Sequence, residues 1–556
     1  MRKLPLILCA LLATNSASAQ ATTPAITTAD LQHRLKIIAD DSMMGRQSGS
    51  KGDYMTADYV ASEFRRLGLR PAGENGTYFQ TVPFWNAAVD QTSHLVVGAT
   101  TLQVERDFLP SNIRSPAGSL DNATVIYGGS ATDSAGWISP ERAAGKVVVL
   151  DIPRNAQLIG LTRALVFFGR GMLHRWRPAV AVAIVSLDDL GNETLARLHE
   201  GVPIADTTRD TLAAPLIVIT RHAAALLLGA EPSTLEPGAV GAQVSGRFDI
   251  ARSPTPFPAR NVVAVLGGRD PKLKGEYVSL TAHNDHVGFD HSPVDHDSIR
   301  AFNQVIRPMG ADSPMRDPTP VEWTRIRALI DSARHRHPPR RDSIRNGADD
   351  DGSGTVSILE IAEAMARGGA HPKRSILFVS HTGEEAGLLG SSWYTDHPTV
   401  PLDSIVGEID QDMVGRGKTT DFPRRGTGAG SPTYLEVVGA KRLSHQFGDI
   451  LEAANARQPV PFVFDYEYDV PGHVLQYYCR ADHYSYARYG IPSVALSRGE
   501  HLDYHQVTDE EEYIDYPDLA RVTRMVYDAA MSLANAPARP ALDAPKQQDP
   551  HAPCVQ

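Results

Sequence analysis

The sequence has few cysteines and no apolar run of membrane-spanning length. Cys9, Cys479 and Cys554 are the only three among 556 residues. Cys9 lies in an N-terminal apolar run that we interpret below as a cleaved segment. The other two thiols are too few for a thiolate metal site, and we predict no disulfide framework. No later apolar stretch reaches the roughly 18 residues that a membrane span needs. A bound metal would therefore be held by histidines and carboxylates.

The chain also lacks a block of charge of one sign. Its formal net charge of -11 is spread along the sequence, which argues against nucleic-acid partners and anionic membranes. With 42% hydrophobic and 21% charged residues, it has the composition of an ordinary globular protein. Its length suggests two or three domains.

The two ends of the chain differ from the rest in composition. The start, MRKLPLILCALLATNSASAQ, combines two basic residues, a short apolar run and small residues. This pattern predicts a signal peptide over 1–19, cleaved near Ala19, and hence a periplasmic or secreted protein. The Pro-rich end, 537–556, is predicted to be disordered.

Three regions lie between these ends. Residues 28–95 have apolar positions at helical spacing and then a strand-like TYFQTVPFW. Residues 96–250 consist mostly of short strands and turns, with a helical pattern at 161–173. Residues 260–535 alternate strands and helices. This alternation predicts an α/β domain whose mixed, largely parallel sheet carries helices on both faces.

Polar residues follow the predicted strands of this last region. In open α/β sheets, functional groups collect at the carboxyl ends of the strands, so these residues are expected to converge on one rim. They are His283, Asp285, Glu384, Glu385, Asp410, Asp412 and His505. Three consecutive aspartates, 349–351, lie between glycines at the start of a predicted helix. Two histidines and several carboxylates on one rim predict a metal site.

Five motifs carry a resemblance to a known family. They are HND (283–285), GADDDGSG (347–354), GEEAGLLGS (383–391), QDM (411–413) and YHQVTD (504–509). In this order and context, and with the early MMGRQSGS, they resemble the M28 family of zinc aminopeptidases. The resemblance implies a peptidase domain from 28–95 and 260–535, with a polar insertion at about 288–345. The middle segment, 96–250, resembles a protease-associated (PA) domain, which would make it a mainly-β inserted domain.

The resemblance also implies a site with two Zn²⁺ per chain. In this sequence, His283 and Asp412 would hold one zinc, and Glu385 and His505 would hold the other. Asp350 would bridge both ions, followed by a cis peptide bond. Two zinc ions and three carboxylates suit the activation of water.

Further roles follow from the same resemblance. Glu384 would be the general base, outside the first set of ligands. Asp285 would hydrogen-bond the free ring nitrogen of His283 and fix its tautomer. Tyr504 either donates a hydrogen bond to the tetrahedral oxyanion or only packs.

Several neighbouring residues have less defined roles. Asp349 and Asp351 are interpreted as helix-capping groups or supports of the ligands. Asp482 and His483 lie in a segment that lines the site in relatives, so they are candidate pocket residues. The additional histidines His286, His291 and His296 fit no helix or strand face, and we interpret them as solvated loop residues rather than a third metal site.

These expectations favour an exported aminopeptidase that acts on peptides. The alternatives are a dipeptidase or carboxypeptidase on the same fold, a single-zinc glutaminyl cyclase-like acyltransferase, and a non-catalytic binding module of the transferrin-receptor kind. Metal content and the release of N-terminal residues would separate them. The sequence leaves the oligomeric state and the native metal open, since Co²⁺ and Mn²⁺ also bind carboxylates and imidazole.

Overall fold

The computed structural model describes most of the chain. The described residues are 22–110, 117–131, 133–152, 175–190, 195, 202–204, 214–313, 316–422, 430–473, 475–546, 548–552 and 554–556. The predicted signal peptide and the helical pattern at 161–173 lie outside them.

The described strands and helices follow in chain order. The strands up to residue 254 are β1 (Arg70–Pro71), β2 (Phe79–Val82), β3 (Trp85–Val89), β4 (His94–Val97), β5 (Thr100–Gln103), β6 (Phe108–Pro110), β7 (Gly118–Ser130), β8 (Val147–Asp151), β9 (Ala181–Val185), β10 (Val202–Ile204), β11 (Leu216–Ile219), β12 (Val240–Phe248) and β13 (Ile250–Pro254). The later strands are β14 (Ala259–Leu266), β15 (Tyr277–His283), β16 (Phe289–Asp295), β17 (Arg341–Ile344), β18 (Ser375–His381), β19 (Ile405–Gln411), β20 (Tyr434–Val438), β21 (Val463–Asp465) and β22 (Ser493–Ser497). The helices are α1 (Thr28–Ile38), α2 (Lys51–Arg66), α3 (Pro140–Ala143), α4 (Arg221–Leu228), α5 (His296–Val305), α6 (Pro320–Arg334), α7 (Gly354–Arg367), α8 (Leu389–Asp396), α9 (His445–Ala456), α10 (His483–Ala487) and α11 (Tyr516–Asn535).

A nine-stranded mixed sheet forms the main body of the described chain. Its order is β1-β14-β18-β15-β19-β22-β20-β21, with β2 also paired to β14. The central strands β18, β15, β19 and β22 are parallel, and antiparallel pairs flank them. Parallel strands are buried on both faces, which explains continuous apolar runs such as YVSLTA in β15.

Helices cover both faces of this sheet, which confirms the predicted fold class. On one face, Leu280 of β15 packs in a core with α1, α2, α7, α9 and α11. On the other face, Leu377 and Val379 of β18 pack against Tyr394 of α8 and Tyr486 of α10. The alternation of side chains along each strand separates the two cores.

The middle of the chain builds a second sheet with cores of its own. Its eight strands run in the order β5-β4-β12-β7-β8-β9-β11-β6. Two apolar clusters lie on it, one around Val125 and Val149, the other around Val148 and Trp176. Strands β3, β10 and β13 form a small separate sheet. The assignment of this region as a PA domain remains a prediction.

The segment predicted as a polar insertion is folded where it is described. Strands β16 and β17 pair, and α5 packs on α6 through Val305 and Ile326. Helix α6 begins with a capping box between Thr319 and Glu322. The segment also contacts the loop that carries His505, because Nε of Arg300 donates to Asp503 over 3.1 Å.

The C-terminal end differs from its prediction. Cys479 and Cys554 form a disulfide although 75 positions separate them, so the prediction of no disulfide was wrong. The side chain of Gln556 accepts a hydrogen bond from the Tyr478 amide (3.0 Å) and donates to the carbonyl of Tyr468 (3.0 Å). The disorder predicted for 537–556 rested on composition alone, and composition does not show which distant residues a segment contacts. Among the described residues, no helix is both long and apolar enough to cross a membrane.

Candidate metal centre

Three adjacent parallel strands bring the predicted ligands to one edge of the main sheet. His283 is the last residue of β15 and lies opposite His381, the last residue of β18. Glu384 and Glu385 follow β18, and Asp412 comes directly after β19. Because β15 lies between β18 and β19, the side chains after all three strands meet at the same rim.

The turn at 348–353 holds Asp350 above this rim. The peptide bond between Asp350 and Asp351 is cis, as the resemblance implies. The carboxylate of Asp509 accepts the amides of Asp349 (3.0 Å) and Asp350 (3.1 Å). On the other side, the buried Arg46 guanidinium donates to the carbonyl of Gly347 over 2.9 Å. The turn is thus held by the carboxylate of Asp509 and the guanidinium of Arg46, both of which are far from it in sequence.

The two aspartates that flank Asp350 bind backbone amides of the surrounding loops. Asp351 accepts the amide of His283 (3.1 Å) and that of Gly354 in the first turn of α7 (2.8 Å). Asp349 accepts the amide of Gly415 (2.6 Å). These bonds join the strand ends to the turn, so the triple aspartate contains one group at the centre and two that support its loops.

Two groups of ligand atoms share Asp350. Within the described residues, His283, Asp350 and Asp412 form one group, and His286, Asp350, Glu385 and His505 form the other. In the first group, Nε2 of His283 lies 3.3 Å from Asp350 and 3.6 Å from Asp412. In the second, Nε2 of His505 lies 3.0 Å from Asp350 and 2.9 Å from Glu385. All five predicted metal ligands therefore lie together.

His286 belongs to this centre, which the interpretation as a solvated loop histidine missed. It is 1% exposed, and its Nδ1 lies 2.8 Å from Glu385 and 3.8 Å from Asp350. The signal available in the sequence was its position three residues after His283. His296 is also buried, stacked on Tyr513, whereas His291 is exposed.

The atoms of both groups fit a bound cation. Several buried atoms of the two groups lie close together but make no well-aligned hydrogen bond among the described residues: the Nε2 atoms of His283 and His505, both ring nitrogens of His286, Oδ2 of Asp350, Oε1 of Glu385 and Oδ1 of Asp412. Buried polar atoms almost always have partners, so atoms of this kind close together are suited to bind a cation. Imidazole nitrogens with carboxylate oxygens are a donor set that suits Zn²⁺.

Electrostatics separate the roles of the two glutamates. Burial raises the pKa of Glu384 well above its ordinary value, with Asp412 and Glu385 adding to the effect and His283 opposing it. Burial also acts to raise the pKa of Glu385, but contacts with His505 and His286 bring it to about 2. Glu385 is therefore held as an anion in the second group, while Glu384 has an environment that favours its protonated form.

The remaining predicted site residues lie around this centre. Glu384 is 3.9 Å from Nε2 of His283, and its amide donates to Oδ1 of Asp285 over 3.2 Å. Asp285 also accepts from Ser48 (2.7 Å); its backbone carbonyl, at 3.2 Å, lies nearer to Nδ1 of His283 than its carboxylate does, at 3.6 Å. Tyr504 stacks on His505 and lines a cavity beside the centre.

Asp482 and His483 differ from their prediction as pocket residues. Both are buried, at 1% and 0% exposure, and neither is among the residues that line this cavity. Ala481 lines it instead. Asp482 is close enough for its charge to raise the pKa of Glu384, after the larger effects of burial, Asp412 and Glu385.

Comparisons with known proteins agree with this geometry. Residues 261–530 match the model of Peptidase family M28. This part of the chain belongs to peptidase family M28. Leucine aminopeptidase 1 of Paracoccidioides brasiliensis (strain Pb18) is 32% identical over 200 residues, which are 34% of this chain and 47% of that protein. Leupeptin-inactivating enzyme 1 of Streptomyces exfoliatus is 32% identical over 119 residues, 19% of this chain and 27% of that protein.

The chain thus spans about half, or less, of the length of these two relatives. Among solved structures, an aminopeptidase from Aneurinibacillus sp. strain AM-1 has a TM-score of 0.50 at 16% identity. The similarity covers 93% of this chain and 96% of that one, so it extends over the second sheet as well as the M28 region. At 16% identity, this similarity shows a shared fold and no more.

Proposed function

We propose that this protein is an aminopeptidase with two zinc ions per chain that removes N-terminal residues from peptides. The observation that carries the proposal is the pair of ligand groups that share Asp350, with Glu384 beside them but in neither. His283, Asp350 and Asp412 would hold one ion. Asp350, Glu385, His505 and the additional His286 would hold the other.

Zinc held by these residues would supply Lewis acidity towards a carbonyl oxygen or a water molecule. Glu384 takes the proton of the attacking water and returns it to the leaving amine. Burial raises the pKa of Glu384, which makes its carboxyl group a better proton acceptor than an ordinary glutamate. The hydrogen bond from its amide to Asp285 fixes the loop that carries it.

Two other residues would assist the reaction. Tyr504 lines the same cavity as Glu384, and we assign it the donation of a hydrogen bond to the developing oxyanion. Asp285 orients His283 through its carbonyl oxygen, which lies 3.2 Å from Nδ1.

The test combines metal removal with a blocked substrate. Chelation should abolish hydrolysis of an aminoacyl anilide, and about two equivalents of zinc should restore it. Acetylation of the substrate amine should remove most activity, because carboxylates at the rim attract a free ammonium group. Equal turnover of free and acetylated peptides would reject the aminopeptidase assignment, and a need for a free C-terminus would favour a carboxypeptidase.

The glutaminyl cyclase alternative makes a different prediction for metal content. Full activity with a single bound metal, and cyclisation of N-terminal glutamine, would favour it over the two-zinc proposal. The second group, with two histidines and two carboxylates, supports occupancy of both sites.

We further propose that the protein works outside the cytoplasm. The disulfide between Cys479 and Cys554 supports this location, because such bonds persist in the periplasm or outside the cell.

A further inference from the structure

A cavity of about 80 Å³ adjoins the metal centre and reaches Asp350 and Glu384. One water molecule needs a cavity of roughly 10–15 Å³, so a cavity of this volume is large enough for a side chain. Part of its wall is apolar, formed by Met413, Val438 and Ala495.

The rest of the cavity carries an unusual concentration of buried charge. Glu436 and Glu500 line it at 2% and 5% exposure, together with Arg480. Buried carboxylates are costly unless they are paired.

Arg480, the one cationic side chain among the described residues that line the cavity, already has anionic partners. The guanidinium of Arg480 donates to Asp312 over 3.0 Å and lies 3.5 Å from Oε1 of Glu500. The other oxygen of Glu500, Oε2, is buried and has no hydrogen-bond partner among the described residues. Asp312 and Glu500 thus both lie at Arg480, so one guanidinium faces two carboxylates.

We propose that this cavity binds the side chain of the substrate's N-terminal residue and selects lysine or arginine. The proposal rests on the aminopeptidase function above. The methylene stem would lie against Met413, Val438 and Ala495, as long basic side chains do on apolar surfaces. The cationic end would bind Oε2 of Glu500, with Glu436 adding to the negative field. Glu500 is therefore a specificity-determining residue.

The test compares kcat/KM of the zinc-loaded protein on Lys-, Arg-, Leu- and Glu-p-nitroanilides. The parent protein should prefer Lys and Arg to Leu. In Glu500→Gln, the Lys-to-Leu ratio of kcat/KM should fall about 10- to 100-fold, the value of a hydrogen bond to a charged group. Glu436→Gln should lower it less. Glu141, which is exposed on α3, provides the matched control, and Glu141→Gln should keep the parent ratio.

Several outcomes would overturn the proposal. A parent protein that prefers Leu, or a Glu500→Gln variant with an unchanged ratio, contradicts it. Preference for the Glu substrate would mean that Arg480 binds an acidic side chain of the substrate instead. If no substrate is hydrolysed, the aminopeptidase function fails, and calorimetry with free L-lysine and L-leucine then tests the cavity. Tighter binding of lysine that Glu500→Gln removes would support the cavity assignment, and equal binding would overturn it.

Discussion

At the residue scale, adjacent side chains of the centre have different surroundings. Glu385 contacts His286 and His505. The carboxylate of Glu384 lies farther out, 3.9 Å from Nε2 of His283. A one-residue step along the loop after β18 therefore separates Glu385, the proposed ligand, from Glu384, the proposed general base. His286 makes the second group richer in nitrogen donors than the motifs alone implied.

We expect the two glutamates to fail differently when each is changed to glutamine. Glu384→Gln should keep both zinc ions but lower kcat by about 10²- to 10⁴-fold, because proton transfer is lost. Glu385→Gln should release one zinc, and added zinc should partly restore its rate. Metal analysis and kinetics of both variants check this. Loss of zinc from Glu384→Gln, or a near-normal rate, would mean that the roles are assigned wrongly.

His286→Ala should weaken the second zinc about 10- to 100-fold, since His286 either ligates the ion or fixes Glu385. Titration of the metal-free protein with zinc against a chelating dye measures both affinities. His291→Ala is the control, because His291 is exposed and close in sequence. Parent-like affinity in His286→Ala would contradict a role at the centre.

At the element scale, a buried cluster of charges joins α1, α2 and α7. Arg34 of α1 is fully buried and contacts Glu63 of α2 and both Glu360 (3.1 Å) and Glu363 (2.5 Å) of α7. Burial raises the pKa of Glu360 to about 7, although Arg34 lowers it. These helices cover the face of the sheet below the turn of Asp350, so their packing supports the centre.

The cluster predicts a pH-dependent stability. The pKa of Glu360 is higher in the folded state than its ordinary value of 4.5, so between pH 4.5 and 7 the unfolded chain releases a proton that the folded protein keeps. Stability from this group therefore falls as pH rises through that window. Relative to the parent, Glu360→Gln should gain stability from pH 4.5 to 7 and level off above.

Urea unfolding at several pH values tests this expectation, with Glu141→Gln as an exposed glutamate control that should follow the parent. A constant difference between parent and Glu360→Gln across the window would show that Glu360 has the same pKa in both states.

At the scale of the whole molecule, the C-terminal end is tied to the cavity wall. The disulfide attaches Cys554 to Cys479, which lies between the cavity residues Tyr477 and Arg480. The terminal Gln556 binds the same segment. The segment of Cys554 and Gln556, which composition predicts to be disordered, is thus bound to the segment beside the site.

Cys554→Ser should lower the free energy of unfolding by about 2–4 kcal/mol, because the unfolded chain is no longer closed into a loop. Urea unfolding with and without a thiol reductant measures the effect. The reductant should shift the parent transition towards that of the variant and leave the variant unchanged. A parent protein insensitive to complete reduction would contradict a stabilising role for the bond.

Much of the centre could be predicted from local patterns. Alternating strands and helices predicted the sheet, and the strand-end rule predicted that His283, Glu385 and Asp412 would meet. These signals are local, since each depends on a few consecutive residues and on the regular geometry of parallel strands. The family resemblance then assigned roles to the same positions.

Tertiary structure decided what depends on segments far apart in the chain. His286 packs against Gly347, at the start of the turn that Arg46 and Asp509 hold by hydrogen bonds. The disulfide requires two cysteines 75 positions apart to come within reach. The charge of the cavity arises because β20, β22 and the segment before α10 bring Glu436, Glu500 and Arg480 together. No local spacing encodes such proximity, because it is produced by the packing of the complete sheet.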